Sequence, residues 1–178
     1  TTLRKDVSTD GRHAKVEFSL DWKDDSNRRD FSINAIYSDK DGNLFDPHNG
    51  KKDLESGIVK FIGNPEERIQ EDYLRILRYL RFFLNYSKNK HELEIVRTIK
   101  RNIKGISKLS SERLLEEFKK LTKSDGFIKL FKDKESLELI EIIFPQLKNL
   151  QSFKKLNAYA KKNFCLLYTS DAADDLLC

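Results

Sequence analysis

An α+β fold is predicted, with a β-bearing first third followed by an all-helical remainder. Three observations carry this. Residues 14–20, AKVEFSL, alternate apolar and polar as a half-buried strand does. The stretch DKDGN (39–43) puts Asp-Gly at the tip of a turn between FSINAIYS and LFDP, the pattern of a hairpin. From Asn64 onward, apolar residues recur at three- and four-residue spacing between helix-capping signals.

Taken in order, STDGRH (8–13) is a turn-rich loop ahead of the first strand. DWKDDSNRRD (21–30) is polar and reads as a short helix or loop. FSINAIYS (31–38) reads as a strand with Asn34 in its middle, and LFDP as its returning partner. KKDLESGIVKFIG continues as a short helix or loop and then a strand.

The helical part opens with NPEERIQEDYLRILRYLRFFLNYS, read as one helix. Asn64 is its cap, Pro65 its first residue, and two glutamates lie in its first turn. HELEIVRTIKRNIKGI is a second helix, closed by Gly105. SSERLLEEFKKLTKS is a third, capped by Ser110 or Ser111, and one or two more follow before Pro145.

The net charge of +5 suits a polyanionic partner such as RNA, and suits simple solubility equally well. No 18-residue apolar run is present, so no membrane span is expected, and a cytoplasmic location is. The chain lacks Met altogether and is read as a fragment. Its last 14 residues, CLLYTSDAADDLLC, contain no Lys or Arg and hold both cysteines, Cys165 and Cys178. They match the conceptual translation of a sequencing-library adapter and are expected to be non-native. No His or Cys spacing suggests a metal site. His48 and His91 are expected at the surface, and Trp22 is expected to pack beside the 31–38 strand.

Residues 68–84 carry the chemistry. At about 100° per residue, Arg68, Arg75, Arg78 and Arg81 form one stripe with Glu71 and Asp72, opposite an apolar arc that includes Tyr73. Such a stripe is most often a solvated face of ion pairs. The choice of arginine in a lysine-rich chain points elsewhere, because a planar guanidinium recognises phosphates and base edges through paired hydrogen bonds. Asp72 as acceptor beside Arg75 as donor complements cytosine and adenine. Uracil and guanine present the reverse order.

RRDFSINAI, DGNLFDPHNGKKDL and GNPEERIQEDYLRILRYLRFF occur in this order at close spacing. Together they resemble the class II tRNA nucleotidyltransferase and poly(A) polymerase family, the CCA-adding enzymes. TTLRKDVSTDGRHAKVEF and ISKLSSERLLEEF resemble it too, so the likeness spans residues 1–147. It implies the end of a nucleotidyltransferase-type head with a mixed β-sheet over 1–62. A helical neck over 63–125, selecting the nucleotide and binding RNA, would follow, then the start of a helical body over 126–164 and the non-native tail over 165–178.

The resemblance also implies roles. Arg29 would contact the nucleotide, and Asp30 with Asn34 would sense the ribose 2′-OH. Asp72 and Arg75 would template the base, with Arg78 and Arg81 as further nucleotide contacts. Asp46, Gly50 and Asp53 would link head to neck, with Ser32 replacing the usual Thr, and His13 would sit in a loop near the active site. The implied reaction adds C and A to tRNA 3′ ends from CTP and ATP, releasing pyrophosphate. It uses Mg2+ held by an Asp-x-Asp motif expected upstream of Thr1, so the fragment alone is expected to be inactive. Asp24-Asp25 and Asp39-x-Asp41 are poor substitutes, one in a polar linker and the other in a hairpin turn. The alternatives are a poly(A) polymerase of the same family and a non-catalytic RNA-binding helical module.

Overall fold

The computed structural model describes residues 3–9, 14–18, 21–147 and 150. His13 and the tail with its cysteines lie outside the described residues, as does most of the 126–164 segment beyond Leu147. The chain divides into two compact units, residues 1–127 and 128–178.

Strand β1 (Arg4–Thr9) pairs antiparallel with β2 (Ala14–Phe18), with an irregularity between Asp6 and Ser8. Ser8 and Thr9, expected in a loop, therefore belong to a strand. Helix α1 (Trp22–Asn27) starts at Asp21, whose side chain accepts from the Lys23 N–H. β3 (Tyr37–Ser38) and β4 (Leu44–Phe45) form the expected hairpin. Its turn is tied by Asp39, whose carboxylate accepts from the N–H groups of Asp41 and Asn43. Trp22 packs edge-on to Tyr37 and Phe45, within 5.7 Å of both ring centroids.

The 31–38 strand does not form as expected. Phe31 makes a single antiparallel bridge to Phe61, Ser32–Asn34 is a turn of 3-10 helix, and only Tyr37–Ser38 is extended in a sheet. Two side chains explain the difference. Asn34 Oδ1 accepts from the Phe31 N–H at 3.2 Å, closing the turn locally. The Ser32 hydroxyl donates to Asp53 at 2.5 Å, on α2 (Gly50–Ser56). Gly50 lies against the Ser32 carbonyl so closely that a Cβ there would collide with it. The strand expected near 58–61 is likewise reduced to Phe61 at the bridge.

The long helix expected from Asn64 is two. Helix α3 (Pro65–Glu71) is capped by the Asn64 side chain, as its sequence indicates. Asp72 then turns extended (φ −153°, ψ 105°), and α4 (Leu74–Tyr86) begins afresh. The Asp72 carboxylate causes the restart by accepting from the Leu74 N–H at 3.1 Å. Next come α5 (Leu93–Asn102), a 3-10 stretch (Ile103–Lys108) and α6 (Ser111–Lys123). Gly105 falls inside the 3-10 stretch rather than closing α5, and its missing Cβ makes room for the Tyr73 ring. Tyr73 leaves the apolar arc and sits half-buried there, with the Lys108 ammonium 5.5 Å from its ring centroid.

The core of the first unit joins the bridge to the helices. Phe31 and Phe61, 4.8 Å apart, meet Tyr79, which stacks on Phe61 at 5.7 Å. Ile76, Leu77, Leu80 and Leu84 of α4 are buried with Ile69, Ile99 and Leu121. His91, expected at the surface, is buried. It stacks on Phe83 at 3.5 Å and meets the Tyr79 hydroxyl at 3.0 Å, so its polar nitrogen is satisfied inside the core. His48 is half-buried, with Nε2 3.1 Å from the Ser26 hydroxyl. Burial holds its pKa below the ordinary value, Lys23 adds to that, and Asp46 opposes it.

In the second unit, α7 (Lys134–Ile143) is capped by Asp133 through the Ser136 N–H and buries Leu139 and Ile140. No helix among the described residues is long and apolar enough to cross a membrane.

Candidate functional site

The loop after α1 carries Arg28, Arg29 and Asp30, and three separate groups hold it. The first is Asp25 on α1, which is fully buried. Its Oδ1 accepts from Arg28 Nε and Nη2 at 3.0 and 2.5 Å. Its Oδ2 accepts from Arg29 Nε and Nη2 at 3.2 and 2.9 Å, and from the Tyr37 hydroxyl at 2.7 Å. Burial by itself would lower the Arg29 pKa, but the hydrogen bonds and charge of Asp25 outweigh it and raise the value. The Tyr37 hydroxyl is also raised, by burial and by its bond to Asp25.

The second group is Arg68 of α3. Its Nη2 donates to the carbonyls of Arg28 at 2.9 Å and Arg29 at 2.8 Å, bridging 40 residues of sequence. The third is the pair Arg75 and Arg78 of α4. Arg75 Nε donates to Asp30 Oδ1 at 3.0 Å, and Arg78 Nε donates to Asp30 Oδ2. Glu71 joins the two helices by accepting from Arg68 at 2.6 Å and from Arg75 at 2.5 Å. One charged cluster thus assembles from two segments that the sequence keeps apart.

Four of the expected site residues, Arg29, Asp30, Arg75 and Arg78, come together in this cluster. The other three turn to different partners. Asp72 Oδ2 accepts from Arg113 of α6 at 2.7 Å, so Asp72 and Arg75 engage separate neighbours although they lie one turn apart. Arg81 Nε donates to Glu117, also on α6 and 2% exposed, at 2.6 Å. Asn34 is occupied by the Phe31 backbone. The linking residues have structural work: the Asp46 carboxylate accepts from the N–H groups of Gly50 and Lys51, at 2.7 and 2.9 Å.

Sequence reasoning passed over Asp25, Tyr37, Arg113 and Glu117. A signal existed for Asp25, which stands three and four residues before two arginines, a spacing at which side chains meet on a helix or at its end. It lies on α1, so of the two readings of residues 21–30, short helix or loop, the helix holds at Asp25. The partners of Arg113 and Glu117 arise only from helix packing. Among the described residues no group of three His, Cys, Asp or Glu could hold a metal ion. The described residues therefore do not fit the two-metal chemistry that the resemblance implies.

Comparison with known proteins decides the family. Residues 1–60 match the family model described as the poly A polymerase head domain, and residues 91–151 match the probable RNA and SrmB-binding site of polymerase A. The mouse mitochondrial CCA tRNA nucleotidyltransferase 1 is 49% identical over 127 residues, covering 70% of this chain and 29% of that protein. The human counterpart is 50% identical over 123 residues, covering 68% and 28%.

The chain belongs to the tRNA nucleotidyltransferase and poly(A) polymerase family. Among solved structures, the Bacillus stearothermophilus CCA-adding enzyme in complex with CTP superposes with a TM-score of 0.65 at 27% identity, over 90% of this chain and 38% of that one. The α+β reading, with a nucleotidyltransferase head leading into helices, agrees with this neighbour. The chain spans less than a third of the length of the mouse and human family members it matches. Nucleotidyltransferases of this family generally use divalent metal ions.

Proposed function

We propose that the chain is part of a template-independent nucleotidyltransferase that adds C and A to tRNA 3′ ends from CTP and ATP, releasing pyrophosphate. In this reading Arg29 and Asp30 face the phosphates and sugar of the nucleotide, Asn34 assists at the sugar, and Asp72 and Arg75 read the base. Arg78 and Arg81 add phosphate contacts or support the reading pair.

The ion pair of Arg75 with Asp30, across 45 residues of sequence, supports the reading most. It joins the sugar-and-phosphate segment to the base-reading segment in one place, as a single nucleotide bound to both would require. Guanidinium groups predominate over carboxylates among these contacts, which favours an anionic ligand.

Reading cytosine or adenine requires Asp72 and Arg75 to leave Arg113 and Asp30 and turn together toward one ligand edge. An acceptor and a donor side by side then satisfy the amino group and ring nitrogen of either base. Uracil or guanine would leave both protein groups facing like partners in a desolvated site. Mg2+ belongs to the reading as the cofactor, held by residues other than those described.

The domain assignment goes with it: a head over 1–62, a nucleotide-selecting neck over 63–125, the start of a body over 126–164 and a non-native tail. The cytoplasmic location expected from the sequence has a mitochondrial alternative in the names of the mouse and human relatives, and cell fractionation separates the two.

Incubating the full-length parent protein with CTP, ATP and tRNA lacking its 3′ end tests the reading. Ordered incorporation of C and then A is expected. A-only addition would favour the second reading, a poly(A) polymerase, which the name of the head-domain model supports. RNA binding without any incorporation would leave only the RNA-binding module.

A further inference from the structure

We propose that Asp25, together with Tyr37, is a positioning group that presets Arg29 for the phosphates of a nucleoside triphosphate. The proposal rests on the reading of the Arg29–Asp30 loop as part of a nucleotide site.

A carboxylate with no solvent exposure is costly unless charge and hydrogen bonds compensate it. Asp25 is compensated by a double arginine grip. Arg28 lays its fork on Oδ1 and is 16% exposed, so it sits deep beside the acid. Arg29 takes Oδ2, which it shares with the Tyr37 hydroxyl, and remains 30% exposed. A single bidentate arginine would suffice to neutralise a buried acid. The second is held by the same acid yet reaches the surface, and because its carboxylate is shared, its own charge is only partly offset.

The grip also decides which edge of Arg29 faces outward. Nε and one hydrogen of Nη2 are committed to Asp25, so the Nη1 side of the guanidinium is the edge turned toward a ligand. The Tyr37 ring, with its centroid 5.8 Å from the guanidinium carbon, limits rotation about the last bonds. Arg68 fixes the backbone beneath through the two carbonyls. A free arginine side chain loses rotamer entropy when a ligand fixes it, and one ordered before the ligand arrives spares that loss on binding. Asp25 touches no ligand in this scheme. It acts through Arg29 alone.

Isothermal titration of the full-length parent with CTP and with inorganic triphosphate tests the scheme, with circular dichroism to confirm each variant's fold. The wild-type parent is expected to bind CTP, and Asp25→Asn to bind both ligands about tenfold more weakly. In an Arg29→Ala background, Asp25→Asn should cost less than about a further twofold, because coupled residues are non-additive.

A full-length parent that fails to bind CTP would overturn the nucleotide reading, and this proposal with it. Wild-type binding with unchanged affinity in Asp25→Asn would overturn the proposal alone. Equal losses with and without Arg29 would do the same, since they would make Asp25 a general structural support. Should Asp25→Asn not fold, Tyr37→Phe takes its place. It should weaken CTP by about two- to threefold, and again only when Arg29 is present.

Discussion

Arg29 and Arg75 both grip carboxylates, but the acids beneath them differ. Asp25, under Arg29, has no solvent exposure, whereas the side chains of Asp30 and Glu71 against Arg75 are 11% and 37% exposed. Arg29 is tied to a residue four positions earlier, on the short helix α1 that precedes its loop. Arg75 is tied across 45 residues to another segment. A contact to a fully buried acid is expensive to exchange, and one to a wetter acid is cheap to exchange. On the nucleotide reading, the phosphate side of the site is set in advance. The base side holds its reading groups on temporary partners, Asp72 on Arg113 and Arg75 on Asp30.

The sharpest way to break that contrast is to compare truncations of the two kinds of acid. Asp25→Ala should lose about 3–5 kcal/mol of stability in urea unfolding, because two guanidiniums are left beside a buried hole. Glu71→Ala should lose less than about 1 kcal/mol, since its exposed side chain is replaced by water. Similar losses would mean that the two halves are held alike.

A smaller stability effect with a larger functional one is expected on the base side. In the full-length parent, Asp72→Ala or Arg75→Ala should cost about 1 kcal/mol in stability but relax the choice of C and A over U and G. Unchanged base selectivity in an incorporation assay would remove the templating role of the pair.

The smallest expected effect concerns His48 beside α1. Its pKa is lowered in the fold, so the unfolded chain takes up its proton more readily. Its contribution is complete above the unfolded value of about 6.5 and is lost as the pH falls through the lower folded value. Denaturation midpoints measured between pH 7.5 and pH 5.5, values spanning about one unit either side of that point, should decline less in His48→Gln than in wild type. Parallel declines would show that other groups carry the pH dependence.

Elements governed by repeating burial were legible in the sequence. The start of α3 at Asn64-Pro65, the apolar arc of α4, the hairpin turn and the position of α6 all follow from local composition. Elements governed by one polar contact were not. Asn34 and Ser32 turn an apparent strand into a 3-10 turn, and Asp72 cuts one apparent helix in two. His91 was misread as a surface residue because its polarity is satisfied by a buried tyrosine that only packing supplies.

The same division runs through the site. The residues proposed for its chemistry stand out in the sequence: arginines at unusual density, Asp30 and Asn34 at the head of an apolar run, and Asp72 one turn before Arg75. How they pair was decided by the tertiary structure. Packing α4 against the Phe31–Phe61 bridge carries Arg75 and Arg78 to Asp30, and packing α6 against α4 gives Asp72 to Arg113 and Arg81 to Glu117. Periodicity records which face of an element is buried, and that is a local property. A charge pairs with whatever the fold brings within about 3 Å, and sequence spacing does not encode that distance.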